Sequence, residues 1–168
     1  LINLIKKLSI MKKNFFIIIF FVFSSFILLN KSNAYSSDPK QFISEIVNEA
    51  KRVLVGTNSK EFKTKKLSEM ALETVDIKGI GYYTLGSYRK NLSDDQMEKY
   101  SALFEKYFLK SFTSRLTDYS DPKINVLSAE VINTKYTIVK SLLLGTDKKP
   151  EVKIDWRVYT KNPDKPLI

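Results

Sequence analysis

The feature that most constrains this chain is a change of hydrophobic period at Asp121-Pro122. Before this point, apolar residues recur at helical spacing. After it, apolar and polar residues alternate, most strictly over residues 152–158. Helices followed by a run of alternating strands are typical of domains in which helices cover one face of an antiparallel sheet. We therefore expect an α+β domain with N-terminal helices packed on a curved antiparallel sheet.

Helix capping signals predict four helices in the first part of the domain. Asp38-Pro39 is a typical helix start, and residues 93–96 have the sequence of a capping box. Gly56 and Gly86 are placed to end the first and third helices. The predicted helices begin at about residues 38, 59, 75 and 94, and the last continues to about residue 119.

The second part of the domain contains the predicted strands. The first strand begins at Ile124, the second alternates over residues 132–142, and the third covers residues 152–158. A turn of the type that joins antiparallel strands lies between the second and third. Leu167-Ile168 has the pattern of the first step of a further strand, which predicts that this sequence is truncated at its C-terminus.

The longest predicted helix carries a wide apolar stripe rich in aromatic residues. A stripe of this kind is typical of a helix that faces a hydrophobic core. It is equally typical of the wall of a cavity for an apolar ligand, and periodicity alone does not choose between the two. The stripe consists of Met97, Tyr100, Phe104, Tyr107, Phe108 and Leu116.

The N-terminal region has the pattern of an export signal. Residues 15–29 hold 13 apolar residues, lysines precede them, and small residues follow them. This pattern predicts a cleavable signal peptide over residues 1–34, with the cut between Ala34 and Tyr35. An uncleaved membrane anchor is the alternative, although a span needs about 20 apolar residues. Met11 opens a normal signal sequence, so residues 1–10 are expected to lie upstream of the true start.

Composition excludes several classes of function. The chain has no cysteine and no histidine, which excludes disulfides, thiolate metal sites and imidazole-based catalysis. The carboxylates considered as a catalytic pair lie at helix ends, in turns or on the polar side of strands, and none is isolated in an apolar stretch: Asp94, Asp95, Asp118, Asp121, Glu130 and Asp155. We therefore expect no enzymatic activity and no cofactor. Removal of residues 1–34 would lower the net charge from +10 to +5, because that segment holds five lysines and no acid. The lower net charge weakens the hypothesis that the protein binds nucleic acid. A mild positive charge still suits contact with anionic lipid surfaces or acidic partners.

Residues 38–168 resemble the MlaC family of periplasmic phospholipid-binding proteins, also called the Ttg2-type toluene-tolerance family. The resemblance is carried by DPKQFISEIVNEAKRVL at 38–54, by VDIKGIGYYTLGSYRK at 75–90 and by the helix that follows Ser93. It continues in INVLSAEV at 124–131 and EVKIDWRVY at 151–159. Tyr88 stands where the family usually has tryptophan.

The resemblance implies a carrier with an apolar pocket between helices and sheet. Such a protein moves phospholipid through the periplasm, between an outer-membrane lipoprotein complex and an inner-membrane ABC transporter with an MCE-domain subunit. The acyl chains lie in the pocket and the head group stays near solvent. Related members are linked to hopanoids, so another apolar ligand is an alternative.

Candidate lipid contacts follow from the residue pattern, and each could equally be ordinary core. Tyr88 and Arg89 are the candidates for the pocket mouth. Two other functions remain open: an NTF2-like small-molecule binder, which the apolar run at residues 152–158 argues against, and a periplasmic adaptor with a filled core. The candidate contacts are Leu85, Phe104, Phe108, Val126, Ile138, Ile154, Trp156 and Val158.

Overall fold

Four α-helices precede three β-strands in the computed structural model, which describes residues 35–147, 149–162 and 164–168. The predicted signal peptide lies outside the described residues. The observed order confirms the predicted α+β architecture. The helices are α1 (Pro39–Val55), α2 (Lys60–Thr74), α3 (Ile77–Leu85) and α4 (Asp94–Thr117), and a 3-10 helix (Gly86–Asn91) joins α3 to α4. The strands are β1 (Ile124–Asn133), β2 (Tyr136–Leu143) and β3 (Val152–Tyr159).

Local capping chemistry explains where the helices start. The Asp38 carboxylate accepts a hydrogen bond of 2.8 Å from the backbone N–H of Gln41 at the start of α1. Ser93 and Gln96 form a reciprocal capping box at the start of α4, with bonds of 3.3 and 2.9 Å. These bonds satisfy backbone donors that have no partner inside the helix. Both helix starts therefore agree with the sequence predictions.

The hydrophobic core lies between α1, α2 and one face of the sheet. Val139 of β2 and Val158 of β3 are both 0 % exposed, and they meet apolar side chains from the two helices. Burying an aliphatic or aromatic side chain in this way stabilises the fold by about 1.5–3 kcal/mol. The core consists of Phe42, Ile43, Ile46, Val47, Leu54, Leu67, Met70, Val139 and Val158.

The strand register decides which side chains face the core. The sheet has the order β1-β2-β3 with antiparallel neighbours, and Val139 stands opposite Trp156. Ile138 stands opposite Arg157, and successive side chains of a strand point to opposite faces. Ile138 therefore lies on the face of the sheet opposite to Trp156. Strand β2 has apolar residues on both of its faces, so its alternation pattern does not show which face is buried.

The end of the described chain returns to the sheet and to the helices. Leu167 forms an antiparallel bridge with Tyr159, with backbone hydrogen bonds of 2.7 and 3.4 Å. The N–H of Ile168 donates to Thr74, and the carbonyl of Ile168 accepts from Asp76, both at 2.9 Å. The pairing of Leu167 with β3 is one isolated bridge, and the further strand expected after it stays a prediction.

The beginning of the described chain is held on α1 by two carboxylates. The hydroxyl of Tyr35 donates to Glu49 at 2.5 Å, and the backbone N–H of Ser36 donates to Glu45 at 2.8 Å. The Tyr35 ring also packs edge-on against Phe42, with centroids 5.7 Å apart. Burial raises the pKa of Tyr35 above its usual value, and the hydrogen bond to Glu49 raises this pKa further.

This raised pKa predicts a loss of stability at alkaline pH. An unfolded tyrosine ionises near about pH 10, whereas Tyr35 in the folded state stays protonated to higher pH. The contribution of Tyr35 to stability is therefore complete below about pH 10 and declines as the pH rises beyond it. We expect Tyr35→Phe to show a smaller decline than the wild type between about pH 10 and about pH 12, measured by urea unfolding. Tyr83→Phe, at an exposed tyrosine, is the control. An equal decline in the wild type and in Tyr35→Phe would contradict the assignment.

Candidate functional site

Four aromatic rings run along one face of α4, and together they form what we term the aromatic ladder: Tyr100, Phe104, Phe108 and Phe112. The centroids of successive rings are 5.8, 6.3 and 5.8 Å apart, and the first and last pairs are stacked. Side chains four residues apart lie one above the other on a helix, which explains the continuous row. All four side chains are only partly buried. The ladder is therefore an apolar surface that the described part of the protein leaves partly uncovered.

Helix α3 packs closely against the ladder at Tyr100 and Phe104. A Cβ atom added to Gly81 would lie 2.9 Å from a ring carbon of Phe104, so a larger side chain would push the two helices apart. The hydroxyl of Tyr100 lies 2.8 Å from that of Thr84 and 3.2 Å from the carbonyl oxygen of Gly81. Glycine at position 81 therefore permits the close approach of α3 to α4.

The candidate mouth residues lie at the Tyr100 end of the ladder. Gly86 ends α3 with a φ of 56°, a left-handed conformation that favours glycine, and the chain turns there into the 3-10 helix. Tyr88 and Arg89 lie in this 3-10 helix and are exposed. Thr84, which contacts Tyr100, lies four residues before Tyr88 and five before Arg89, so the 3-10 helix follows α3 at the Tyr100 end of the ladder.

Tyr82 of α3 makes polar contacts with Ser101 of α4 and with Lys78. Hydrogen bonding from Ser101 lowers the pKa of Tyr82, and the nearby ammonium of Lys78 lowers this pKa further. The Lys78 Nζ lies 5.6 Å from the centre of the Tyr82 ring. The interaction of Tyr82 with Ser101 joins α3 to α4, whereas the contact of Lys78 with Tyr82 lies within α3.

The sheet candidates lie near the other end of α4. Leu116, one turn beyond the ladder, packs against the hydrophobic core, as do Val126 and Trp156. The indole Nε1–H of Trp156 donates to the hydroxyl of Ser141 at 2.8 Å, which fixes the ring on the covered face of the sheet. Ile154 is partly buried on this same face, opposite Ser141.

The structure divides the predicted contacts into two groups. Leu85, Phe104 and Phe108 lie on α3 and α4, where they are partly buried. Val158 belongs to the closed core and is fully buried, so it is packed among protein side chains in this structure. Phe112 was missing from the predicted stripe, although its position four residues after Phe108 continues the same spacing.

The site offers apolar contact and hydrogen bonding. Within the part of the chain that the structure describes, no group of three or more acidic side chains could hold a metal ion. Across the same residues, no helix combines the length and the apolar character that a membrane crossing requires. The chemistry available at the ladder is therefore the burial of apolar surface, with polar groups at its Tyr100 end.

Comparisons with known proteins agree with this architecture. The chain is similar to a solved phospholipid-binding protein from Ralstonia solanacearum, in complex with a phospholipid, at 13% sequence identity and a TM-score of 0.62. The match covers 79% of this chain and 74% of that chain, and at this identity it establishes similarity of fold. No curated protein matches the sequence. The family model described as MlaC protein matches residues 39–168. The chain therefore belongs to the MlaC protein family.

Proposed function

We propose that this protein binds a phospholipid and carries it through the periplasm. The observation that supports this proposal most directly is the aromatic ladder, a continuous apolar surface that is partly uncovered. Membership of the MlaC family and the phospholipid bound by the Ralstonia protein support the same ligand class. The ligand would place acyl-chain surface against the ladder and its head group toward solvent.

The energetics explain why such a carrier is needed. Two acyl chains together hold about 30 methylene groups, and each methylene buried away from water is worth about 0.8 kcal/mol, so exposing both chains costs on the order of 20 kcal/mol. Unassisted passage of a phospholipid through an aqueous compartment is therefore negligibly slow. An apolar surface on a protein reduces this cost without covalent chemistry. The proposed role is accordingly that of a carrier and not of an enzyme.

The proposed route links two membranes. The donor and acceptor would be an outer-membrane lipoprotein complex and an inner-membrane ABC transporter with an MCE-domain subunit. The predicted signal peptide would deliver the protein to the periplasm. The positive net charge predicted for residues 35–168 suits brief contact with acidic partners or anionic lipid surfaces.

Transfer between vesicles tests this function. Donor vesicles carry a labelled phosphatidylglycerol, and acceptor vesicles carry none. We expect the protein to accelerate transfer by about tenfold or more over buffer, which corresponds to about 1.4 kcal/mol of barrier. The acceleration should rise with protein concentration, while a non-exchangeable membrane marker stays in the donor vesicles. Transfer at the rate seen in buffer would contradict the proposal, and uptake of a hopanoid in place of the phospholipid would reassign the ligand.

A further inference from the structure

We infer that the aromatic ladder is a track for one acyl chain, aligned along α4, with the ester end of the chain at Tyr100 and its methyl end at Phe112. The length of the track would then set the preferred chain length. This inference rests on the proposed function, because it assumes that the ligand is a lipid. It goes further by assigning one chain to one helix face, with a direction and a length.

The dimensions of the ladder suit a single chain. Tyr100 and Phe112 are 12 residues apart, and at about 1.5 Å per residue the ladder spans about 18 Å. An extended hydrocarbon advances by about 1.25 Å per bond, given a bond length near 1.5 Å and an angle near 111°. About 14 bonds therefore fit along the ladder. This length corresponds to a myristoyl or palmitoyl chain.

The continuity of the ladder favours an extended ligand. The gaps between successive centroids stay within 5.8–6.3 Å, so no break or polar side chain interrupts the row of rings. The rings are partly buried along the whole row, including the first and last. A compact ligand would cover one or two rings and leave the rest in water, whereas an extended chain covers all four.

The two ends of the ladder differ in polarity, and this difference gives the track its direction. Tyr100 carries the hydroxyl of the ladder, beside the hydroxyl of Thr84, and the exposed Arg89 follows in the 3-10 helix. At the opposite end, Leu116 packs against the hydrophobic core. The glycerol ester and the phosphate therefore suit the Tyr100 end. The methyl end meets the closed, apolar end beyond Phe112.

Competitive uptake of lipids of different lengths tests the track. The full-length protein is incubated with vesicles that contain equal amounts of phosphatidylglycerols with paired lauroyl, myristoyl, palmitoyl, stearoyl or arachidoyl chains. The bound species are then counted by native mass spectrometry. We expect a maximum at myristoyl or palmitoyl. Phe112→Trp should shift this maximum to the next shorter lipid, and Phe112→Ala should shift it to the next longer one. Tyr107→Trp, on the exposed side of the same helix, should leave it in place.

A second measurement uses the wild-type protein and therefore tests the track even if the variants do not fold. Wild-type protein is loaded with a phospholipid that carries a photoreactive group either at the methyl end or beside the ester. We expect the first probe to label α4 near Phe112 and the second to label it near Tyr100. Absence of any lipid uptake by the wild type would contradict the proposed function itself. Uptake with a flat length profile, with a maximum that neither Phe112 variant moves, or with labelling in the reverse order, would overturn the track and leave lipid binding standing.

Discussion

Replacing Phe42 by alanine is expected to lower the free energy of unfolding by about 3–5 kcal/mol. Phe42 is 1 % exposed and lies in the core between α1 and the sheet, where it also contacts the ring of Tyr35. The substitution removes a large apolar side chain and leaves a cavity that the surrounding side chains fill only in part. Because a whole domain is stable by about 5–15 kcal/mol, this is a large fraction of the total.

Phe62→Ala is the matched control for this experiment. Phe62 lies on α2 and is 43 % exposed, so the same deletion removes much less buried surface. We expect its effect on the free energy of unfolding, measured by urea titration followed by circular dichroism, to be at most about 0.5–1 kcal/mol. Equal losses from Phe42→Ala and Phe62→Ala would contradict the placement of the core.

Replacing Phe108 by aspartate is expected to reduce bound lipid by about tenfold or more. Phe108 lies inside the aromatic ladder, between Phe104 and Phe112. A carboxylate at this position would have to lose its hydration when an acyl chain covers it, at a cost of several kcal/mol. Since about 1.4 kcal/mol corresponds to a tenfold change in affinity, lipid retention should fall sharply. The measurement is the amount of phospholipid extracted per mole of purified protein.

Tyr107→Asp is the matched control for the ladder. Tyr107 is the neighbouring residue on α4, but it is 70 % exposed and is not one of the four rings of the ladder. It introduces the same charge into the same helix, so we expect lipid retention to equal that of the wild type. Far-UV circular dichroism should show that both variants keep their helices. Wild-type lipid content in a folded Phe108→Asp protein would refute the role of the ladder.

The order and starts of the helices could be predicted from the sequence because they depend on local chemistry. Asp38 and Ser93 each accept a hydrogen bond from a backbone N–H three residues later, and this interaction is readable in the sequence. The change to alternating residues after Pro122 likewise predicted strands, but the predicted start of the second strand at residue 132 is wrong, because β1 continues to Asn133 and β2 begins at Tyr136. These signals act over three to ten residues and need no knowledge of the tertiary structure.

The buried face of β2 could not be predicted in the same way. Ile138 and Leu142 on one face are as apolar as Val139 and Leu143 on the other. The choice between them depends on which face α1 and α2 cover, and this is a tertiary property. The alternation in β2 therefore left the face of Ile138 undetermined, and the strand register supplies it.

The aromatic ladder shows a similar division between what spacing reveals and what it does not. The interval of four residues between Phe104 and Phe108 placed both rings on one helix face, and the same interval would have included Phe112. Whether those rings would be covered by the core depends on how α3 and α4 pack. Gly81 allows α3 to approach closely at Phe104, yet the ring row stays partly uncovered. Only the tertiary structure supplies this information.

Lipid binding by this protein is tested by native mass spectrometry of the full-length gene product, exported with its own N-terminal segment and purified without added lipid. We expect a mass that exceeds the polypeptide by one diacyl phospholipid, which solvent extraction then releases and identifies. A mass of polypeptide alone, unchanged after incubation with phosphatidylglycerol vesicles, would contradict lipid binding.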